Sequence, residues 1–309
     1  MKSAIGIDIG GTNTKIGLLD EEGNVNYRCK FATSYLEPEK IRDDLIKYID
    51  SIINNMEKKL SGIGIASAGR IDFKSKKIVY TTDNLKDWAE IPITRILEKR
   101  FNIPVFIDND VNAALYHELK TNEFDKDKVI IFLTIGTGLG GAVAIKNKLI
   151  RGNTGSIGEF GHMILYPQGI LCNCGKFGCA EQYISGKAYK RRLRKAFNIN
   201  DISYSKKDFD VEVIQENIKK REKTYFSVLI NMIDDLVILL ENLKNCLDFD
   251  ICIIGGGFSY YQDLLIKEIE KKFERYSHKY TEIPVFQTSK NKNEAGFLGA
   301  ALMVLDNIS

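Results

Sequence analysis

One histidine and three cysteines crowd into an eighteen-residue stretch, His162 followed by Cys172, Cys174 and Cys179 in HMILYPQGILCNCGKFGC. The whole chain of 309 residues has only 3 histidines and 6 cysteines. One imidazole and three thiolates make the tetrahedral Cys₃His set that structural Zn²⁺ prefers. Four protein ligands leave no open coordination position, so a metal here fastens a loop and is not a Lewis acid. A disulfide or plain core cysteines is the alternative, and in a reducing compartment such crowding points to metal first.

A second chemistry is carried by glycine. Asp8-Ile9-Gly10-Gly11-Thr12 leaves backbone bare of side chains where an anion can approach several N–H groups, with a hydroxyl beside them at Thr12. Alone, a diglycine turn is as readily a hairpin. Segments 8–19, DIGGTNTKIGLL, and 134–145, TIGTGLGGAVAI, share strand, glycine turn and strand, and Gly255-Gly256-Gly257 follows a third apolar strand. Three such close-approach points in a repeated pattern favour a duplicated fold that binds a nucleotide.

The elements that must position these groups follow from periodicity. Strands are expected at 4–9, 15–19, 25–31, 63–66 and 104–107, and a helix opened by Pro38 carries Ile41, Leu45, Ile49, Ile52, Ile53, Met56 and Leu60 at helical spacing. A short helix near 92–99 precedes strand 104–107, which delivers Asp108-Asn109-Asp110 to a helix over 112–119. The pattern restarts with strands at 129–135 and 142–145. Residues 187–225 read as solvated helices, 226–243 as a long amphipathic helix, and 250–254 as a strand.

The bulk numbers narrow the class. Apolar residues make up 44% and charged residues 28%, a globular balance, and 309 residues suit two lobes better than one core. Net charge is +3 with the lysines dispersed, so no nucleic-acid surface is indicated. The chain opens directly on an alternating strand and no apolar run reaches spanning length, which gives the expectation of a cytoplasmic protein without membrane contact.

These residues resemble the ROK family of bacterial sugar kinases and repressors. DIGGT is similar to its first phosphate motif, LTIGTGLGG to its second, and IIGGGFS with NEAGFLGAA to its adenosine motif; the likeness runs from Ile5 to Ala301. It implies an α/β fold of two actin-like ATPase (ribonuclease H-like) lobes with an interdomain cleft. The expected small lobe is 1–116 with a terminal helix at 296–309, and the larger lobe is 117–295. It also implies ATP and Mg²⁺ at Asp8, Gly10, Gly11, Thr12, Asn13, Lys15, Thr137, Gly138, Gly256 and Gly257, with Asp8 near the magnesium and both threonines facing phosphates, and a homodimer.

IDNDVNAA resembles the family's catalytic motif. Phosphoryl transfer needs a carboxylate that orients the acceptor hydroxyl and takes its proton, and Asp110 is assigned that role, with Asn109 bonding a neighbouring hydroxyl. Asp110 as a mere helix cap is the alternative, and Asp108 is read as structural. GEFGH and CNCGKFGCAEQ match the family hallmark, which implies that Glu159, His162 and Glu181 bond the sugar, His162 using its second nitrogen for the metal. Gly69-Arg70 lies where the family meets its sugar and resembles the pair found in N-acetylmannosamine kinases. The expected reaction is transfer from ATP to the 6-hydroxyl of a hexose, with glucose and N-acetylmannosamine ahead of fructose. A sugar-responsive regulator is the competing function, and only seven residues precede Asp8, too few for a helix-turn-helix.

Overall fold

Strand β1 (Ser3–Ile9) is buried along both faces. Only a strand covered by helices on each side needs that, and it explains why its sequence, SAIGIDI, is apolar at nearly every position. In the computed structural model, which describes residues 2–56, 59–81, 85–197, 210–277, 282–291 and 294–308, β1 pairs antiparallel with β2 (Asn13–Asp20), and β2 with β3 (Val25–Ala32). Helix α1 (Pro38–Asn54) starts on Pro38, whose missing N–H costs nothing in a first turn. It leads to β4 (Gly62–Ser67), parallel to β1.

A small hairpin of β5 (Arg70–Asp72) and β6 (Lys77–Tyr80) follows, then α2 (Ile93–Phe101), β7 (Val105–Asn109) and α3 (Asp110–Thr121). Next come β8 (Val129–Ile135), β9 (Leu139–Ile145) and the two-residue β10 (Lys148–Leu149). The remaining helices are α4 (Gly186–Ala196), α5 (Val211–Lys219), α6 (Lys223–Leu247), α7 (Gln262–Tyr276) and α8 (Ala295–Asn307), with β11 (Ile251–Gly255) before α7 and β12 (Val285–Thr288) after it.

Two compact units result. The first gathers Met1–Asp125, Asn147–Ile157 and Asn293–Ser309, and the second Lys126–Lys146 and Gly158–Lys292. Segments 117–125 and 147–157, expected in the larger lobe, group with the first unit, where Leu149 packs against the Ala66, Ala113, Ala300 and Met303 cluster. In the first unit the strand order is β3-β2-β1-β4-β7. One face buries Ile5, Ile7, Ile9, Ile63, Ile65 and Ile107 with α1, α2 and the fully buried Trp88. The other face takes α8, which lies so close that a Cβ at Gly6 or Gly64 would run into the carbonyls of Phe297 or Ala300.

The second unit repeats the plan: β8 and β9 form an antiparallel hairpin, β11 runs parallel to β8, and β12 parallel to β11. This is the duplication read from the two glycine-turn segments. Helix α6 buries Leu229, Met232, Ile233, Leu236, Val237 and Leu240 completely. The sequence expectation underestimated it at both ends. Of the Lys/Arg-rich stretch 187–225, residues 198–209 lie outside the described residues. Among the described residues no helix is long and apolar enough to cross a membrane.

Candidate active site and metal centre

In the first unit, Asp8 sits at the penultimate position of β1, cross-strand from Lys15 of β2, whose Nζ lies 3.6 Å from its carboxylate. Burial pushes the Asp8 carboxyl above its ordinary value and Lys15 pulls it back. The first turn of α8 closes on this carboxylate: a Cβ at Gly296 would stand 2.8 Å from its Cγ. Between β1 and β2 the turn closes by Gly10 N–H donating to the Asn13 carbonyl at 3.1 Å, with Gly11 and Asn13 half-buried and Thr12 exposed. A carboxylate, a lysine and a glycine backbone suit a magnesium-bearing phosphate.

The end of β7 resolves which residue caps α3. Asn109 does, its Oδ1 accepting from Val111 N–H at 2.9 Å and Asn112 N–H at 3.3 Å. Its Nδ2 donates to the Gly69 carbonyl at 2.9 Å, which leaves one amide hydrogen for a ligand. Neither Asp108 nor Asp110 is the cap. Asp108 is buried and accepts from Asn109 N–H (2.8 Å), Asn112 Nδ2 (2.9 Å) and Arg151 Nε (2.7 Å). Asp110, half-buried, opens the helix, and its Oδ1 accepts from Val111 N–H at 3.1 Å.

Gly69 has φ +112°, and a Cβ there would strike the Tyr80 carbonyl, so only glycine turns the chain from β4 into β5. The Arg70 Nε that follows is buried without a hydrogen-bond partner among the described residues. A buried guanidinium nitrogen left unmet is costly unless a ligand satisfies it.

In the second unit, the turn after β8 closes by Gly136 N–H donating to the Gly138 carbonyl at 3.0 Å, and Thr137 lies between them. Glu181 braces it, its Oε2 accepting from Leu139 N–H at 3.0 Å. Gly256, at φ +78°, approaches β8 so closely that a Cβ would lie 2.6 Å from the Ile135 carbonyl, and Gly257 opens the next turn. Of the glycines flagged in the sequence, Gly138, Gly255 and Gly256 stand where a side chain is excluded, whereas Gly136 and Gly257 have room for one.

His162, Cys172, Cys174 and Cys179 bring four ligand atoms within 4.8 Å of one another. Cys172 Sγ is 3.7 Å from His162 Nδ1, and Cys174 Sγ is 3.5 Å from Cys179 Sγ. Burial, then the neighbouring Cys174 and Cys172, push the Cys179 thiol up to about 12. A dication is what lets such a cluster hold all three sulfurs as thiolates, so the donor set fits Zn²⁺. The other imidazole nitrogen, Nε2, is 3.9 Å from Glu159 Oε2.

Two participants had no sequence signal. Arg151 is 43 residues from its partner Asp108, and Phe73 lies under its guanidinium.

The ROK family model matches residues 4–307. A glucokinase of Streptomyces coelicolor is 33% identical over 312 residues, covering 97% of each chain. An N-acetylmannosamine kinase of Vibrio cholerae is 28% identical, covering 87% of this chain and 89% of its own. Among solved structures, a ROK family glucokinase from Streptomyces griseus in complex with glucose and AMPPNP superimposes with a TM-score of 0.85 at 30% identity, covering 97% of this chain and 98% of its own.

Proposed function

The chain belongs to the ROK family and shares the actin-like ATPase fold of its sugar kinases, and from that premise we propose that it is an ATP-dependent hexose kinase acting at the 6-hydroxyl. The observation that carries the reading is the Asp108-Asn109-Asp110 turn. Asp108 is taken up by Arg151 and the backbone and Asn109 by the cap, while Asp110, whose Oδ1 accepts from Val111 N–H, is the carboxylate set at the helix start.

Asp110 orients the sugar hydroxyl and accepts its proton as the oxygen bonds to phosphorus. Asn109 offers its remaining amide hydrogen to an adjacent hydroxyl. Glu159, His162 and Glu181 are assigned to the sugar; His162, Cys172, Cys174 and Cys179 would hold a zinc ion, which would fix the tautomer of His162 and leave its second ring nitrogen as an N–H donor. Lys15, Gly10, Gly11, Thr12 and Asn13 are assigned to the nucleotide phosphates, as are Thr137 and Gly138, with Gly256 and Gly257 at its adenosine; Asp8 serves the magnesium. Magnesium bound with ATP neutralises phosphate charge and supplies no proton chemistry.

Glucose is the first substrate to test, from the likeness to glucokinases. The buried, partnerless Nε of Arg70 favours a second substrate, N-acetylmannosamine, whose acetamido carbonyl is an acceptor of the right kind. The proposal includes a homodimer in the cytosol, where ATP is supplied; light scattering checks the assembly. A coupled ADP-release assay across glucose, N-acetylmannosamine, N-acetylglucosamine, mannose and fructose tests the function. ADP release above background with glucose or N-acetylmannosamine is expected, and none with any of the five overturns the reading.

A further inference from the structure

The side chain of Asp108 is 2% exposed and stands two residues before Asp110. A carboxylate so buried persists as an anion only where its charge and lone pairs are met. Arg151 meets the charge at one oxygen, and the other oxygen accepts the Asn109 N–H together with the Asn112 amide. Main-chain direction at Asn109 is therefore tied to a side chain that Arg151 holds.

Arg151 is itself fixed. Its guanidinium carbon lies 4.0 Å from the centre of the Phe73 ring, over its face, a cation–π contact that suits a planar cation. The segment that carries it rests on β5: Gly155, at φ +71°, comes so near the Ile71 carbonyl that no side chain fits between them. Strand β5 begins one residue after Gly69, which receives the Asn109 Nδ2 hydrogen. Asn109 is thus tied on both sides to structure that this segment supports.

We infer that Arg151 is a positioning residue for phosphoryl transfer, acting through the Asp108 carboxylate to set where the Asp110 carboxylate stands. The inference rests on the reading of Asp110 as the proton acceptor. Asp110 must come within about 2.6–3.2 Å of the acceptor hydroxyl, and a misplacement of about 1 Å costs on the order of 100-fold in rate. Arg151 touches neither sugar nor nucleotide in this role. Its loss therefore acts mainly on turnover, spares ATP binding, and reaches hexose binding only through Asn109.

Steady-state kinetics on the full chain test this with Arg151→Ala, Arg151→Lys and Asp108→Asn, and Asp110→Ala alongside. Arg151→Ala is expected to lower kcat by about 10–100-fold while KM for ATP stays near the parent value and KM for hexose rises by less than kcat falls. Arg151→Lys, which keeps the charge but not the planar fork, recovers part of that loss. Arg151→Ala combined with Asp108→Asn falls short of the product of the two single effects, because both act through one contact. Parental kcat in Arg151→Ala, a loss carried by KM alone, or full additivity overturns the inference. If the alanine variant does not fold, Arg151→Lys and Arg151→Gln are compared below both melting temperatures: higher kcat for lysine supports the inference and equal kcat overturns it. Parental turnover in Asp110→Ala removes Asp110 from the mechanism, whereas a collapse there beside parental turnover in Arg151→Ala removes only the role of Arg151.

Discussion

Gly136 and Gly138 flank Thr137 in one turn, yet a methyl group added at each meets different surroundings. At Gly138 it would lie 3.1 Å from Glu181 Cδ and overlap the carboxylate oxygen that accepts from Leu139 N–H. At Gly136 nothing stands within 4 Å. Neither position has positive φ, so backbone strain does not confuse the comparison. Gly138→Ala must therefore turn Glu181 aside and break a hydrogen bond to a charged group, worth about 1.5–3 kcal/mol. At 1.36 kcal/mol per decade that is about 10–100-fold in kcat/KM. Glu181 is assigned to the sugar and the turn to the nucleotide, so both KM values rise. Gly136→Ala should melt like the parent and, if its open space receives a phosphate, raise only the KM for ATP. Steady-state kinetics varying each substrate, beside thermal melts, give the answer. Parental KM values in Gly138→Ala, or a lowered melting temperature in Gly136→Ala, would refute the reasoning.

The purified protein should hold about one zinc per chain, and Cys174→Ser should lose metal and sugar affinity together; elemental analysis with sugar titration checks it, and a metal-free protein of full activity sinks the zinc assignment. His117 is 4% exposed, and burial holds its pKa at about 4 against an ordinary 6.5. The unfolded chain then binds the extra proton first as pH falls, so up to about 3 kcal/mol of stability is present above pH 6.5 and lost between 6.5 and 4. Urea melts at pH 7 and pH 5 should show a smaller loss for His117→Gln than for the parent; parallel losses speak against it. Gly6→Ala would press a methyl into the Phe297 carbonyl and should cost about 1–3 kcal/mol or more. An unchanged urea midpoint would mean that α8 does not pack as described.

How much of this could be read from residues alone follows from sequence distance. The cluster of His162, Cys172, Cys174 and Cys179 was legible because one short loop supplies all four, and the glycine turns because their composition stands out in the sequence. Asp110 was legible as a candidate, but the cap was not, since Asp108, Asn109 and Asp110 share capping chemistry and only geometry selects Asn109. The hairpin β5–β6 went unseen: its residues 70–80, RIDFKSKKIVY, show no sustained alternation and five of the eleven are charged. The return of Asn147–Ile157 to the first unit, and with it the Arg151–Asp108 pair, depends on tertiary routing that no local pattern encodes.

The packing of α8 against β1 also sets an order of assembly in the cell. Strand β1 leaves the ribosome early, but the helix that covers its second face is encoded some 290 residues later. At translation rates of about 5–20 residues per second, that face waits roughly 15–60 s for its cover. During the same interval every residue of the second unit is made. The first unit to begin synthesis is thus the last to be completed, and a nascent chain stalled before Ala295 presents the bare strand face to chaperones.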